Sequence, residues 1–218
     1  MRLPLPHAAF TLLIGCTQAP TGESSLPSAQ QRHQAFLELR KLAKHGTQDE
    51  IRVDDIGWDD FAAHYTAVDS ASFSVLWPDS IWVAGLEDYD RTYVHGWKDL
   101  DQDHVLLSLI TQRENSNCTT IVLDLRTREG RSLCSFEAAS RCGDGNWTYM
   151  AHGRFENPWT YIRTSVEMDL ATLDSNYVET YSCDSLVSRI SFSRNGDLTQ
   201  ERISATHFEV VEHPQLQD

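Results

Sequence analysis

The chain has no apolar run approaching the roughly 20 residues that an ordinary membrane-spanning helix needs. It is also poor in positive charge: 18 Lys and Arg stand against 32 Asp and Glu, a formal net charge of −14. Phosphate backbones are held by Lys and Arg, so this deficit excludes nucleic acid as a partner and disfavours an anionic membrane surface. No His-Glu-x-x-His pair, Gly-x-Ser-x-Gly elbow or phosphate-cradling glycine loop occurs. The common hydrolase, metalloprotease and nucleotide-binding signatures are therefore missing, and nothing calls for a cofactor.

What is present begins at the amino terminus. Arg2 precedes a mostly apolar stretch from Leu3 to Ile14, and the stretch ends in Leu13-Ile14-Gly15-Cys16. A charged start, an apolar core and a small residue before a cut make a signal peptide over residues 1–15. The tetrad resembles the lipobox of bacterial lipoproteins, a resemblance confined to the first sixteen residues. It implies that Cys16 is diacylated and becomes the new amino terminus. Thr17 in place of an aspartate implies, within that class, onward sorting to the outer membrane, facing the periplasm or the cell surface. Removing residues 1–15 takes one basic and no acidic residue, leaving 17 against 32, a net of −15.

Four cysteines remain, namely Cys118, Cys134, Cys142 and Cys183. Their spacing fits no zinc motif, and an even number in an exported chain predicts two disulfides. A hairpin turning at Arg128 and Glu129 sets Cys118 opposite position 139, which disfavours a Cys118–Cys134 pair and leaves the other two pairings open.

Residues 16–27 carry the Pro, Gly and Ser content of a tether. From Ser28 the period becomes helical: Ala29, Phe36, Leu39 and Ala43 share a face, with Ser28 as cap and Gly46 as stop. A short second helix is expected from Asp59 through Tyr65. Beyond it the period falls to two, in Phe73, Val75 and Trp77 and then in Ile81 to Val83. Val105 to Thr111 is apolar on both faces, as in a buried strand. Ile121 to Arg126 turns at Thr127-Arg128-Glu129-Gly130 into Leu133 to Phe136. Ile162, Thr164, Val166, Met168 and Leu170 alternate with Tyr161, Arg163, Ser165, Glu167 and Asp169, predicting a strand whose polar side is wet. Leu186 to Ser193 and Leu198 to Ser204 flank a hairpin at Asn195-Gly196.

These patterns predict one mainly β domain over residues 28–218, an antiparallel sandwich or barrel of short strands with one N-terminal helix. An α+β or propeller-like arrangement is the alternative. Phe192 to Leu198 resembles hairpins common in β-propellers, but it occurs once, without a repeat of about 40 residues.

Three groups invite a chemical reading. Asp99, Asp101 and Asp103 alternate like the first ligands of a calcium loop, yet His104 replaces its glycine and Ile110 its glutamate. They are read as an acidic loop, with no metal. His64 with Asp60 and His152 with Glu156 stand at helical spacing, without a nucleophile or oxyanion site to complete a catalytic centre. Trp77, Trp82, Tyr89, Tyr93 and Trp97 alternate with carboxylates, a composition that suits sugars or protein interfaces. Asp88, Tyr89, Asp90, Tyr93, Trp97, Asp99, Asp101 and Asp103 form the candidate partner-binding set.

The expectation is a tethered, non-enzymatic binding protein, engaging the membrane through its lipid and a basic protein through its acidic surface. Bacterial immunity and hydrolase-inhibitor lipoproteins are similar in general build. A structural, assembly or glycan-binding envelope lipoprotein is the alternative, and a hydrolase comes third.

Overall fold

The computed structural model describes residues 27–43, 45, 46, 49–53, 64–77, 90–113 and 117–212. The signal sequence, Cys16, the tether as far as Leu26, the Asp59 to Ala63 stretch and Ile81 to Val83 lie outside them.

Helix α1 (Ala29–Leu42) starts where its sequence says. Ser28 Oγ accepts the Gln31 N–H, and the Gln31 side chain answers the Ser28 N–H, a reciprocal capping box. Phe36 and Leu39 are its buried residues, each worth about 1.5–3 kcal/mol of apolar burial. Next come the two-residue strands β1 (His45–Gly46), β2 (Glu50–Ile51) and β3 (Thr66–Ala67), then a helix α2 (Ser70–Leu76). The Phe73, Val75, Trp77 alternation is thus not a strand. Asp69 caps Ser72 N–H at 2.8 Å, and Phe73 and Leu76, at helical spacing, are the residues α2 buries. Five residues fit both periods, and the cap decides between them.

Eight long strands follow: β4 (Asp90–Asp99), β5 (His104–Arg113), β6 (Cys118–Thr127), β7 (Ser132–Gly143), β8 (Trp147–Asn157), β9 (Thr160–Leu173), β10 (Glu179–Phe192) and β11 (Leu198–Glu212). They lie side by side in chain order, every long-strand pair antiparallel, with β1 alone running parallel, on β4. The sheet is open, neither a closed barrel nor a set of propeller blades; the domain is mainly β with an N-terminal helix, as expected.

The sandwich expectation is met by one sheet folded on itself. β7 pairs with β8 only through Ser140 to Gly143, while Gly153 and Arg154 of β8 pair with β2. Past this divergence Leu106, Ile121, Leu123 and Phe136 meet Tyr161, Ile190 and Phe192 in one core. A second core sits on the opposite side of β4 and β5, where Phe36, Leu39, Phe73 and Leu76 cover Val94, Val105, Leu107 and Leu109. Burial of β5 on both faces is thereby explained.

Two sequence expectations need correction. Cys118 bonds to Cys142, while Cys134 and Cys183 are free thiols, so the four make one disulfide. The turn centres on Glu129, with Thr127 opposite Arg131, which shifts the register by one, and two bulges in the β6–β7 ladder each place an extra residue on β7; together they move the partner of Cys118 from 139 to 142. Cys134 lies against the folded-over core and Cys183 on the outward face of β10, so those two do not meet. On β9 the buried residues are Tyr161 and Ser165, from the side expected to be wet, while Ile162, Val166, Met168 and Leu170 are only half-buried.

Candidate functional site

The predicted acidic and aromatic set does not form one surface. Asp88 and Tyr89 lie outside the described residues, and Asp90 opens β4. Tyr93 is 3% exposed, inside the core. Trp97 is half-buried beneath the Arg40 guanidinium, 3.1 Å from its ring centroid. Asp99 pairs with Arg128 at 2.8 Å. Asp101 accepts the N–H groups of Asp103 and His104, His104 Nδ1 at 2.8 Å and Arg194 Nε at 2.8 Å. Its burial alone would raise the carboxyl, but the Asp103 amide, His104 and Arg194 outweigh that and hold it well below the usual range. These acids therefore pin three hairpin turns together, and Asp103 remains exposed. Of the histidine pairs, Asp60 lies outside the described residues. His152 and Glu156 are four residues apart on strand β8, roughly 13 Å, and Glu156 pairs with Arg189.

A different aromatic and carboxylate cluster is assembled by register. Cys118, Cys142, Tyr149, Glu167, Asp184 and His207 form one continuous rung across β6 to β11. Residues directly opposite share a face, so the disulfide sits in line with Tyr149 and fixes the rung beneath it. One rung outward lie Trp147, Asp169, Ser182 and Glu209. On the inward side Arg163 lies opposite Gly153 and Ser188.

The side chains interlock. The Trp147 and Tyr149 rings are parallel to within 5° and stacked, centroids 6.4 Å apart. Trp147 Nε1–H donates to Glu167 Oε1 at 2.8 Å, and Tyr149 O–H donates to Glu137 Oε1 at 3.0 Å. Arg163 donates to both Glu137 and Tyr149, with its guanidinium carbon 5.9 Å from the Tyr149 ring centroid. Burial raises the Tyr149 phenol, Arg163 opposes the rise and Glu137 adds to it, so the hydroxyl stays a neutral donor at physiological pH. Glu167, Asp169, Asp184 and Glu209 are exposed around this centre.

Such a face offers stacked aromatic rings, fixed hydrogen-bonding groups and excess negative charge. Among the described residues of this face, no hydroxyl or thiol is hydrogen-bonded to a histidine. A cavity of about 20 Å³ between α2 and β4 to β6, lined by Trp77, Thr92 and Asp124 among others, has room for one water and no substrate. Among the described residues no three His, Cys, Asp or Glu are grouped to hold a metal ion. The pattern Trp147-x-Tyr149, followed by Arg163-x-Ser165-x-Glu167 on the next strand of a hairpin, was the sequence signal for this face. Alternation marks only its Arg163, Ser165 and Glu167 part, as the polar side of a strand.

The fold and the face together define a class: a mainly β, disulfide-linked domain with an acidic, aromatic-centred sheet surface. No protein-family model, curated protein or solved structure matches the chain.

Proposed function

We propose that the chain is an envelope-anchored, non-enzymatic binding protein whose acidic sheet face takes a basic protein, as an immunity or inhibitor protein takes a periplasmic hydrolase. One observation carries this reading. Trp147, Tyr149 and Arg163, the residue types that dominate interface hot spots, sit together among five carboxylates, Glu137, Glu167, Asp169, Asp184 and Glu209. The carboxylates would steer a basic partner and the aromatics would hold it. The envelope address rests on Leu13-Ile14-Gly15-Cys16. The Cys118–Cys142 bond supports it, since disulfides persist in oxidising compartments.

The test is capture of basic wall hydrolases from envelope extract, followed by binding kinetics at low and moderate salt. Trp147→Ala with Tyr149→Ala is expected to speed dissociation. Glu167→Gln with Asp169→Asn and Asp184→Asn is expected to slow association and flatten the salt dependence. Binding untouched by both sets overturns the reading. The stacked aromatic pair also favours a second one, a glycan-binding envelope lipoprotein; salt-insensitive binding of wall fragments, lost only in the aromatic variant, would select it. Palmitate labelling abolished by Cys16→Ser tests the anchor.

A further inference from the structure

We infer that the chain forms a symmetric dimer by pairing the free edge of β11 with the β11 edge of a second copy. The sheet ends at β11, which pairs with β10 on one side and with no described residue on the other. Its 15 residues make it the longest strand, and all but Val210 are exposed. A bare edge in a folded protein is ordinarily kept short or guarded by lysine or proline. This one contains neither, and its single irregularity is the extra residue Ile203, set between the Arg202–Ser188 and Ser204–Val187 pairs.

Charge and register select the occupant. Arg202 continues the rung of Ser188 and Arg163, and Glu209 continues the rung of Ser182, Asp169 and Trp147, so both stand on the same side of the sheet. Both are exposed, and neither has an ion-pair partner among the described residues, whereas Glu201 and His207 of the same strand already meet Arg189 and Asp184. When identical strands pair antiparallel about a two-fold axis perpendicular to the sheet, one residue faces its own copy. With Thr206 in that position, Ala205 faces His207 and Ser204 faces Phe208. Beyond Phe208 the extra residue Ile203 of the other copy is passed over, and Glu209 falls opposite Arg202. The two-fold repeats the pair, so the contact closes on opposite charges at both ends. The neighbouring centres do not achieve this: with Ala205 on the axis Arg202 faces His207, and with His207 on it Glu212 faces Glu201. A basic strand from another protein would set Arg202 against like charge, which disfavours it beside a second copy. Pairing joins β8 to β11 of the two copies into one continuous sheet, with both Trp147 and Tyr149 clusters on the same side.

The full chain, purified with its disulfide intact, is measured by sedimentation velocity over a concentration series. A dimer is expected. Arg202→Glu sets carboxylate against carboxylate and Glu209→Arg sets guanidinium against guanidinium, so each should raise the dissociation constant about tenfold while leaving the circular dichroism spectrum unchanged. The two changes together should restore the dimer. Within one strand the two positions lie roughly 20 Å apart, too far to meet, so that rescue can arise only between copies. Thr206→Cys, treated with a short bifunctional thiol reagent and mapped by peptide mass, should crosslink to its own copy, and Thr199→Cys should not. A monomer at every concentration overturns the inference, including the case in which another protein's strand takes the edge, and so does an open series of larger assemblies. A dimer that lacks either the charge rescue or the Thr206→Cys crosslink also overturns it. Partner binding through Trp147 and Tyr149 is scored separately and stands or falls alone.

Discussion

Trp77 and Asp124, 47 residues apart in the chain, are joined by a buried hydrogen bond in which the indole Nε1–H donates to Oδ2 at 2.9 Å. The same oxygen accepts Arg126 Nε at 2.7 Å, and Oδ1 accepts Ser132 O–H. Arg126 goes on to donate to the carbonyls of Gly130 and Leu76. Helix α2, strand β6 and the β6–β7 turn therefore share one buried ion pair, with Asp124 and Arg126 both fully covered. Removing one member leaves the other charge uncompensated. Asp124→Ala is expected to cost about 3–5 kcal/mol. Trp77→Phe, which leaves the carboxylate two other donors, should cost about 1 kcal/mol. Urea unfolding of the two variants checks both the size and the order.

One disulfide, not two, gives a second expectation. Cys118→Ser with Cys142→Ser should lower stability by about 3 kcal/mol, the chain-entropy value for a loop of this length, separation 24. Alkylation after denaturation without reductant, read by peptide mass, should label Cys134 and Cys183 and leave Cys118 and Cys142 unlabelled. In the folded state Cys134 should react slowly near pH 7, because burial first, and then Asp124 and Asp197, push its thiol up to about 11.

Six of the eight long strands, the α1 cap and the hairpin at Asn195-Gly196 are legible because local periodicity and turn chemistry encode them, whereas β4 and β8 are not. Which side of β9 meets the core is not legible either. Alternation marks two faces, but Tyr161 is buried because β8 and β9 fold over Phe136, a contact 25 residues distant that no local pattern contains. For the same reason the candidate face went unseen: Tyr149 and Arg163 meet Glu137 only once the register of three strands is known. The acidic loop was legible as a loop, but its pairing with Arg194, 93 residues away, was not.

Gly153 and Tyr161 make that fold-over possible. A Cβ on Gly153 would lie 2.2 Å from the Ile162 carbonyl oxygen and 2.7 Å from the Tyr161 ring. Tyr161 is 0% exposed and its O–H donates to the Ala138 carbonyl at 3.2 Å, so the ring has no free direction to yield. Gly153→Ala is expected to destabilise by about 1–3 kcal/mol through overpacking, although alanine is otherwise better tolerated in a strand. Thermal unfolding of this single variant is the check, with wild-type stability as the outcome against it.

Asp101 supplies the pH dependence. In the unfolded chain its carboxyl titrates near the ordinary aspartate value of about 3.9. In the fold burial opposes ionisation, but Asp103 N–H, His104 and Arg194 prevail and hold the carboxyl well below that value. A depressed folded value means the charged form is favoured by folding. The stabilisation is thus fully present above the ordinary value and is lost as pH falls through the lower, folded one. Asp101→Asn should remove it at neutral pH, costing on the order of 1 kcal/mol because the site is part-exposed. The variant's stability should then fall less steeply than the wild type's on acidification below about pH 5. Arg194 loses its carboxylate in this variant and keeps only the bond between His104 Nε2 and its own carbonyl, so the β10–β11 turn should loosen against the β4–β5 turn. Faster amide exchange at Ser193 to Asp197 would register that loosening; unchanged exchange with an unchanged acid limb would show that the clamp contributes nothing.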